Sequence, residues 1–213
     1  MNIGCCLIDL WEIEDAIKIF EEGCIFISNN INIIDNQYIL ESWCLLAFLN
    51  SHLGFNQKAS EFAEKAYSKL VLTECSGWSA WSQGYGLLFL GLTYKNLHSN
   101  KESFEMYDRA ISFAEQSNYT QVTAKALTGL AELYRIQGDF ETALFHHSES
   151  IELLDKIGAK CDLAEAYYQL GLTYQKMGET ENSHTNFNEA IRLFNEMEAL
   201  KQVEKVEKAK IQN

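Results

Sequence analysis

Self-similarity at a period near forty residues runs along this chain and narrows its possible folds before any single motif is considered. The segment Leu130-Ala131-Glu132-Leu133-Tyr134, with Gly138 and Ala143 behind it, returns forty residues later. There it reads Leu170-Gly171-Leu172-Thr173-Tyr174, with Gly178 and Ser183 behind it. An earlier copy has Leu90-Gly91-Leu92-Thr93-Tyr94 and Ser103, and another has Trp43, Leu46-Ala47, Gly54 and Ala59. The start of the chain carries a fifth, weaker copy in Gly4, Leu7, Trp11, Ala16 and Phe20. Aligned on the small residue at 16, 59, 103, 143 and 183, the copies lie 43, 44, 40 and 40 residues apart. Apolar residues within each copy recur at helical spacing, and the chain contains no proline. Both features favour helices joined by short connections over strands joined by proline-bearing turns.

Each copy resembles the tetratricopeptide repeat. Numbering from Gly84, Ala124 and Ala164 as first positions of three repeats, the likeness rests on Leu-Gly or Leu-Ala at the seventh and eighth places and Tyr at the eleventh. A turn glycine and small residues at the twentieth and twenty-seventh places complete it. Small side chains there let neighbouring helices approach closely while Leu and Tyr fill the gaps. The usual repeat is shorter and ends in proline, so each helix here is expected to be longer by nearly a turn. Connections such as Ser117-Asn118-Tyr119-Thr120 and Ile157-Gly158-Ala159-Lys160 do the turning, with Thr120 the expected helix cap.

The resemblance implies an all-α, right-handed α-solenoid of about five antiparallel helix pairs plus a C-terminal capping helix. It covers residues 1–213 as one domain, with repeats over about 1–36, 37–78, 79–119, 120–159 and 160–198 and the cap over 199–213. The first or A helices are expected at about 1–10, 37–53, 79–97, 120–137 and 160–177. The second or B helices follow at about 13–28, 56–72, 100–117, 140–157 and 180–197. The longest connections, 29–35 and 73–79, are the expected places for the superhelix to bend. The short first helix leaves two readings open: a chain that begins in mid-solenoid, or an end that frays.

Charge and composition remove several function classes. Thirty acidic residues against seventeen basic give a net charge of −13, which opposes binding to a phosphate backbone. The longest apolar stretch, Leu87 to Leu92, is far too short to span a membrane. Six cysteines at 5, 6, 24, 44, 75 and 161 form no C-x-x-C pair and suit a reducing cytoplasm. His146 and His147 are adjacent on a helix and point in different directions, so they cannot share a metal. His147 falls in a packing slot. Gly84-Tyr85-Gly86 has no third glycine, and no Ser, His and Asp set carries a catalytic signature. No cofactor, metal or catalytic residue is expected.

A groove is what the resemblance does imply, lined by places two, five, nine and twelve of the A helices. In the second repeat these are Glu41, Cys44, Phe48 and Ser51, and in the third Tyr85, Leu88, Leu92 and Lys95. The fourth supplies Lys125, Thr128, Glu132 and Arg135, and the fifth Glu165, Tyr168, Leu172 and Gln175. The lysines and asparagines with which chaperone-binding relatives grip a terminal carboxylate are missing. Phe48, Tyr85, Leu88, Leu92, Tyr168 and Leu172 instead form an apolar track. It is either a partner site or a set of side chains that touch one another or are covered by a neighbouring domain. Trp78 and Trp81 divide similarly between packing and an exposed anchor.

The expected function is a non-catalytic scaffold that holds a protein or peptide, with the groove residues Phe48, Tyr85, Leu88, Leu92, Lys95, Thr128, Glu132, Arg135, Tyr168, Leu172 and Gln175 as its contact surface. The alternative is a ligand- or peptide-responsive switch domain of a bacterial-type signalling or transcription regulator.

Overall fold

The computed structural model describes residues 13–29, 36–70 and 80–211. The first A helix, Cys5-Cys6, Cys75, Trp78 and the two long connections lie outside the described residues, as does the side chain of Trp81. The chain is an all-α solenoid of antiparallel helix pairs. The helices are α1 (Ile13–Asn29), α2 (Asn36–His52), α3 (Asn56–Leu70), α4 (Ala80–Asn96), α5 (Asn100–Ser117), α6 (Thr120–Gln137), α7 (Phe140–Ile157), α8 (Lys160–Met177), α9 (Thr180–Glu196) and α10 (Leu200–Ile211). Their ends agree with the expected spans to within two residues. The forty-residue period resolves into two eighteen-residue helices and two two-residue connections, as in α6 and α7.

Each connection among the described residues is a left-handed turn. Gly138 ends α6 at φ 84°, and its N–H reaches the Arg135 carbonyl at 3.1 Å while Asp139 N–H reaches Tyr134 at 3.0 Å. These paired bonds satisfy carbonyls the helix end would otherwise leave open. The same turn is made without glycine at His98, Asn118 and Glu198, at φ 61°, 53° and 57°. No proline is needed where a single left-handed residue reverses the chain. The expected cap at Thr120 is not formed: α6 starts from Tyr119 with no side-chain cap, because Thr120 is already the first helical residue. Asp139 does cap, accepting from Thr142 N–H at 3.2 Å and the Thr142 hydroxyl at 2.7 Å.

The small residue at the eighth place is a seat for an aromatic ring. A Cβ on Gly171 would lie 2.6 Å from the Phe187 ring, and one on Gly91 would lie 2.6 Å from the Tyr107 ring. At the equivalent places the other described repeats pair Ala131 with His147 and Ala47 with Ala63, so a bulkier eighth residue goes with a smaller partner. Serines at packing places add polar ties: Ser103 Oγ donates to the Gly91 carbonyl and Ser150 Oγ to that of Ala124, both at 2.7 Å.

The chain divides into two compact units, residues 1–110 and 111–213, with the division inside α5. In the first unit Ala16, Phe20, Leu45, Leu46 and Leu49 form a buried cluster against which Phe48 and Phe89 pack. In the second, Leu154, Tyr168, Phe187, Leu193, Phe194 and Val206 belong to one core, with Leu172 and Val203 at its edge. Val206 is how α10 docks: it is fully buried, while Leu200 and Ile211 face outward.

Candidate functional site: the faces of the A helices

In the first unit the face formed by α2 and α4 is aromatic. Phe48 lies 5.6 Å from Phe89 and 6.2 Å from His52, and Tyr85 lies 6.3 Å from Phe89, centroid to centroid. Phe48, Tyr85, Leu92 and Lys95 are half-buried, whereas Leu88 is sealed at 3% exposure. Polar ties run between the two helices. The Asn96 side-chain amide donates to Ser51 Oγ at 3.0 Å, and the Ser82 hydroxyl donates to the buried carboxylate of Glu41.

In the second unit the equivalent face, formed by α6, α8 and α10, is laced with charge. Asp162 accepts from Lys125 and, at 2.7 Å, from Gln121. The Arg135 guanidinium donates to the Gln169 carbonyl at 2.9 Å and to its side-chain oxygen at 3.0 Å, with Glu132 at 3.8 Å. One helix further along, Gln175 donates to the Ala209 carbonyl at 3.0 Å. Arg135 and Gln175 occupy the same repeat place, so one device ties each A helix to the backbone of the next. Lys205 on α10 reaches Glu165 at 3.2 Å and stands over the Tyr168 ring at 4.4 Å. Burial works against the Lys205 charge, but Glu165, the Tyr168 hydroxyl and Glu132 outweigh it and hold its pKa above the ordinary lysine value.

The positions expected to line the groove therefore differ in depth. Thr128 and Glu132 are each 8% exposed; the Thr128 hydroxyl meets Ser150 Oγ at 2.7 Å, turned towards its own B helix. Tyr168 is buried under Lys205, while Arg135, Leu172 and Gln175 remain half-buried. Leu172, Arg135, Gln175, Lys176 and the exposed Ile136 line a cavity of about 540 Å³. Ile136 and Lys176 line this cavity although the repeat-place rule passes over them, since both lie one place beyond the rule's last position. A second cavity of about 400 Å³ opens between Tyr168 and α10.

His147 is packing and not a ligand. It is fully buried, its Nε2 lies 2.9 Å from the Thr173 hydroxyl, and burial with Arg135 nearby pushes its pKa down to about 3. Among the described residues no group of three or more His, Cys, Asp or Glu is arranged to hold a metal ion. None of their helices is long and apolar enough to cross a membrane.

A family model described as the tetratricopeptide repeat matches residues 85–156 and 122–196, together more than half of the chain. In sequence, the chain is 22% identical over 162 residues to the 43 kDa receptor-associated protein of the synapse of Gallus gallus. That match takes in 75% of this chain and 38% of the relative, so the chain spans about two fifths of that protein's length. In structure, aspartyl phosphate phosphatase F from Bacillus subtilis superposes with a TM-score of 0.69 at 15% identity, over 93% of this chain and 52% of that one. BtubC (BKLC) from P. vanneervenii superposes with a TM-score of 0.61 at 14% identity, over 94% and 82% of the two chains. At such identities these two likenesses establish the fold alone.

Proposed function

The chain belongs to the tetratricopeptide repeat family, and from that membership we propose that it is a non-catalytic scaffold which holds a partner protein or peptide on the faces of its A helices. The observation that carries this reading is the partly open lining of those faces. The Leu172 and Ile136 side chains stand beside cations around a cavity of about 540 Å³, and Phe48, Tyr85 and Leu92 are half-exposed in the first unit. Apolar surface rimmed by charge is what a peptide-binding groove offers. The relative named for its association with a receptor lends support to a protein as the partner. A cytoplasmic setting belongs to the same proposal, supported by the free, buried thiol of Cys44.

Affinity capture with the intact chain and with the Leu92→Ser, Leu172→Ser double variant tests the reading. The partner captured by the first should be lost from the second while helical content is retained. A partner held equally by both would move the site off these faces.

A further inference from the structure

Five of the ten lysines and arginines of the second unit lie on one strip, although the chain as a whole carries a net charge of −13. The cavity beside Leu172 is lined by Arg135 and Lys176 and by no carboxylate. The cavity beside Tyr168 is lined by Lys201, Lys205 and Lys208 against one carboxylate, Glu204. The two adjoin where Gln175 donates to the Ala209 carbonyl, so together they follow one side of α8, with Arg135 and Ile136 of α6 at one wall and α10 at the other.

Even with the neighbouring Glu132 and Glu165 counted, five cations face three carboxylates along this strip. Lys205 is held in its charged form by Glu165, Tyr168 and Glu132, and Lys176 has no ion-pair partner among the described residues. Lys176 is exposed, and Leu172 and Ile136 supply apolar surface between the cations. By contrast α1, in the other unit, carries Glu14, Asp15, Glu21 and Glu22 against Lys18.

We propose that this strip binds an acidic peptide segment of a partner protein, with an apolar side chain seated against Leu172 and Ile136 and carboxylates met by Arg135, Lys176 and the α10 lysines. The proposal rests on the scaffold reading and names the chemistry of its ligand. It also gives α10 a second role, since the helix that buries Val206 to close the core presents the basic wall of the groove from its other side. Electrostatic complementarity of this kind selects partners and speeds their encounter. The acidic surface elsewhere on the chain repels the same segment, which directs it to this strip.

Selection from a random peptide library displayed on phage, with the full chain as bait, tests the proposal. Enriched sequences should combine aspartate or glutamate with an aliphatic or aromatic residue. A synthetic peptide of that kind should bind at least about tenfold more weakly to the Lys176→Glu, Lys201→Glu, Lys208→Glu variant. Its affinity should fall as salt is raised. The Lys→Arg variant at the same three places should bind normally, and circular dichroism should show the same helical content for all three proteins. Enrichment of neutral or basic peptides, no enrichment, or binding indifferent to the charge reversals would overturn the proposal. If the selected peptides instead respond to Phe48→Ser and Leu92→Ser, the scaffold reading stands and only this inference falls. Capture that is unaffected by Leu92→Ser and Leu172→Ser removes the scaffold reading from these faces whatever the library yields.

Discussion

At the twelfth place of its repeats the first compact unit has Ser51 and Lys95, and Ser51 receives a hydrogen bond from Asn96 on the next A helix. The second unit has Arg135 and Gln175 at that place, and each reaches across to a backbone carbonyl of the next A helix, those of Gln169 and Ala209. The ninth place is Phe48, tilted against Phe89, in the second repeat and Glu132, close to Arg135, in the fourth, while the third and fifth repeats both have leucine there. The packing places behind these faces barely differ: Gly91 seats Tyr107 just as Gly171 seats Phe187. Residues between the helices of a pair are thus fixed by close approach, while residues on the A-helix face are free to become aromatic or charged. The first set serves stability, and the second is where the proposed recognition lies.

The shared part of this comparison carries the largest expected effects. Gly171→Leu or Gly91→Leu drives a side chain into an aromatic ring that has no room to move, and each should cost roughly 3 kcal/mol or more of stability. Gly23→Ala is the control: nothing stands within 4 Å of its Cβ, so relief of the helix-interior glycine should stabilise the chain by about 0.5–1 kcal/mol. Thermal unfolding reads both. Equal melting temperatures for wild type and Gly171→Leu would mean that the repeat register is wrong.

The divergent part should yield smaller and unequal losses. Arg135→Ala removes two hydrogen bonds and leaves Glu132 without that cation, at a cost of about 1–3 kcal/mol in urea unfolding. Ser51→Ala in the first unit removes neutral hydrogen bonds only, at about 0.5–1.5 kcal/mol. A larger loss from Ser51→Ala than from Arg135→Ala would undo the contrast between the faces.

Helix positions, the pairing of helices and the close-packed small residues were legible in the sequence because each repeat states them again. Three features were not. The left-handed turns at His98 and Glu198 carry no glycine to announce them, and only the backbone shows that they match Gly138 and Gly158. The depth of Thr128 and Tyr168 depends on neighbours outside their own repeat or helix: Ser150 for one, Lys205 for the other. The lysines of α10 read as the polar face of a cap until the fold sets that helix beside α8.

His147 gives a pH-dependent contrast, since no other described repeat carries histidine at that packing place. Its folded pKa of about 3 lies below its ordinary value of 6.5, so the unfolded chain takes up the proton first. The stability this contributes is present above the ordinary value and is lost as pH falls from about 6.5 towards 3. Melting temperature should fall over that window, and His147→Gln should flatten the fall. A slope unchanged by the substitution would show that other groups carry it. The smallest contrast lies between two buried serines. Ser150→Ala should cost about 1 kcal/mol through its lost bond to Ala124. Ser183→Ala should be neutral or slightly stabilising, because its buried hydroxyl has no partner among the described residues.

Hydroxyl-radical footprinting of the chain with its captured partner compares the two kinds of face directly. Ile136 and Phe145 are similarly exposed in the free chain, one at the rim of the A-helix groove and the other on a B helix. Bound partner should protect Ile136 and Leu172 and leave Phe145 and Ile157 as reactive as before. Protection confined to Phe145 and Ile157, with Ile136 and Leu172 unchanged, would contradict recognition through the A-helix faces.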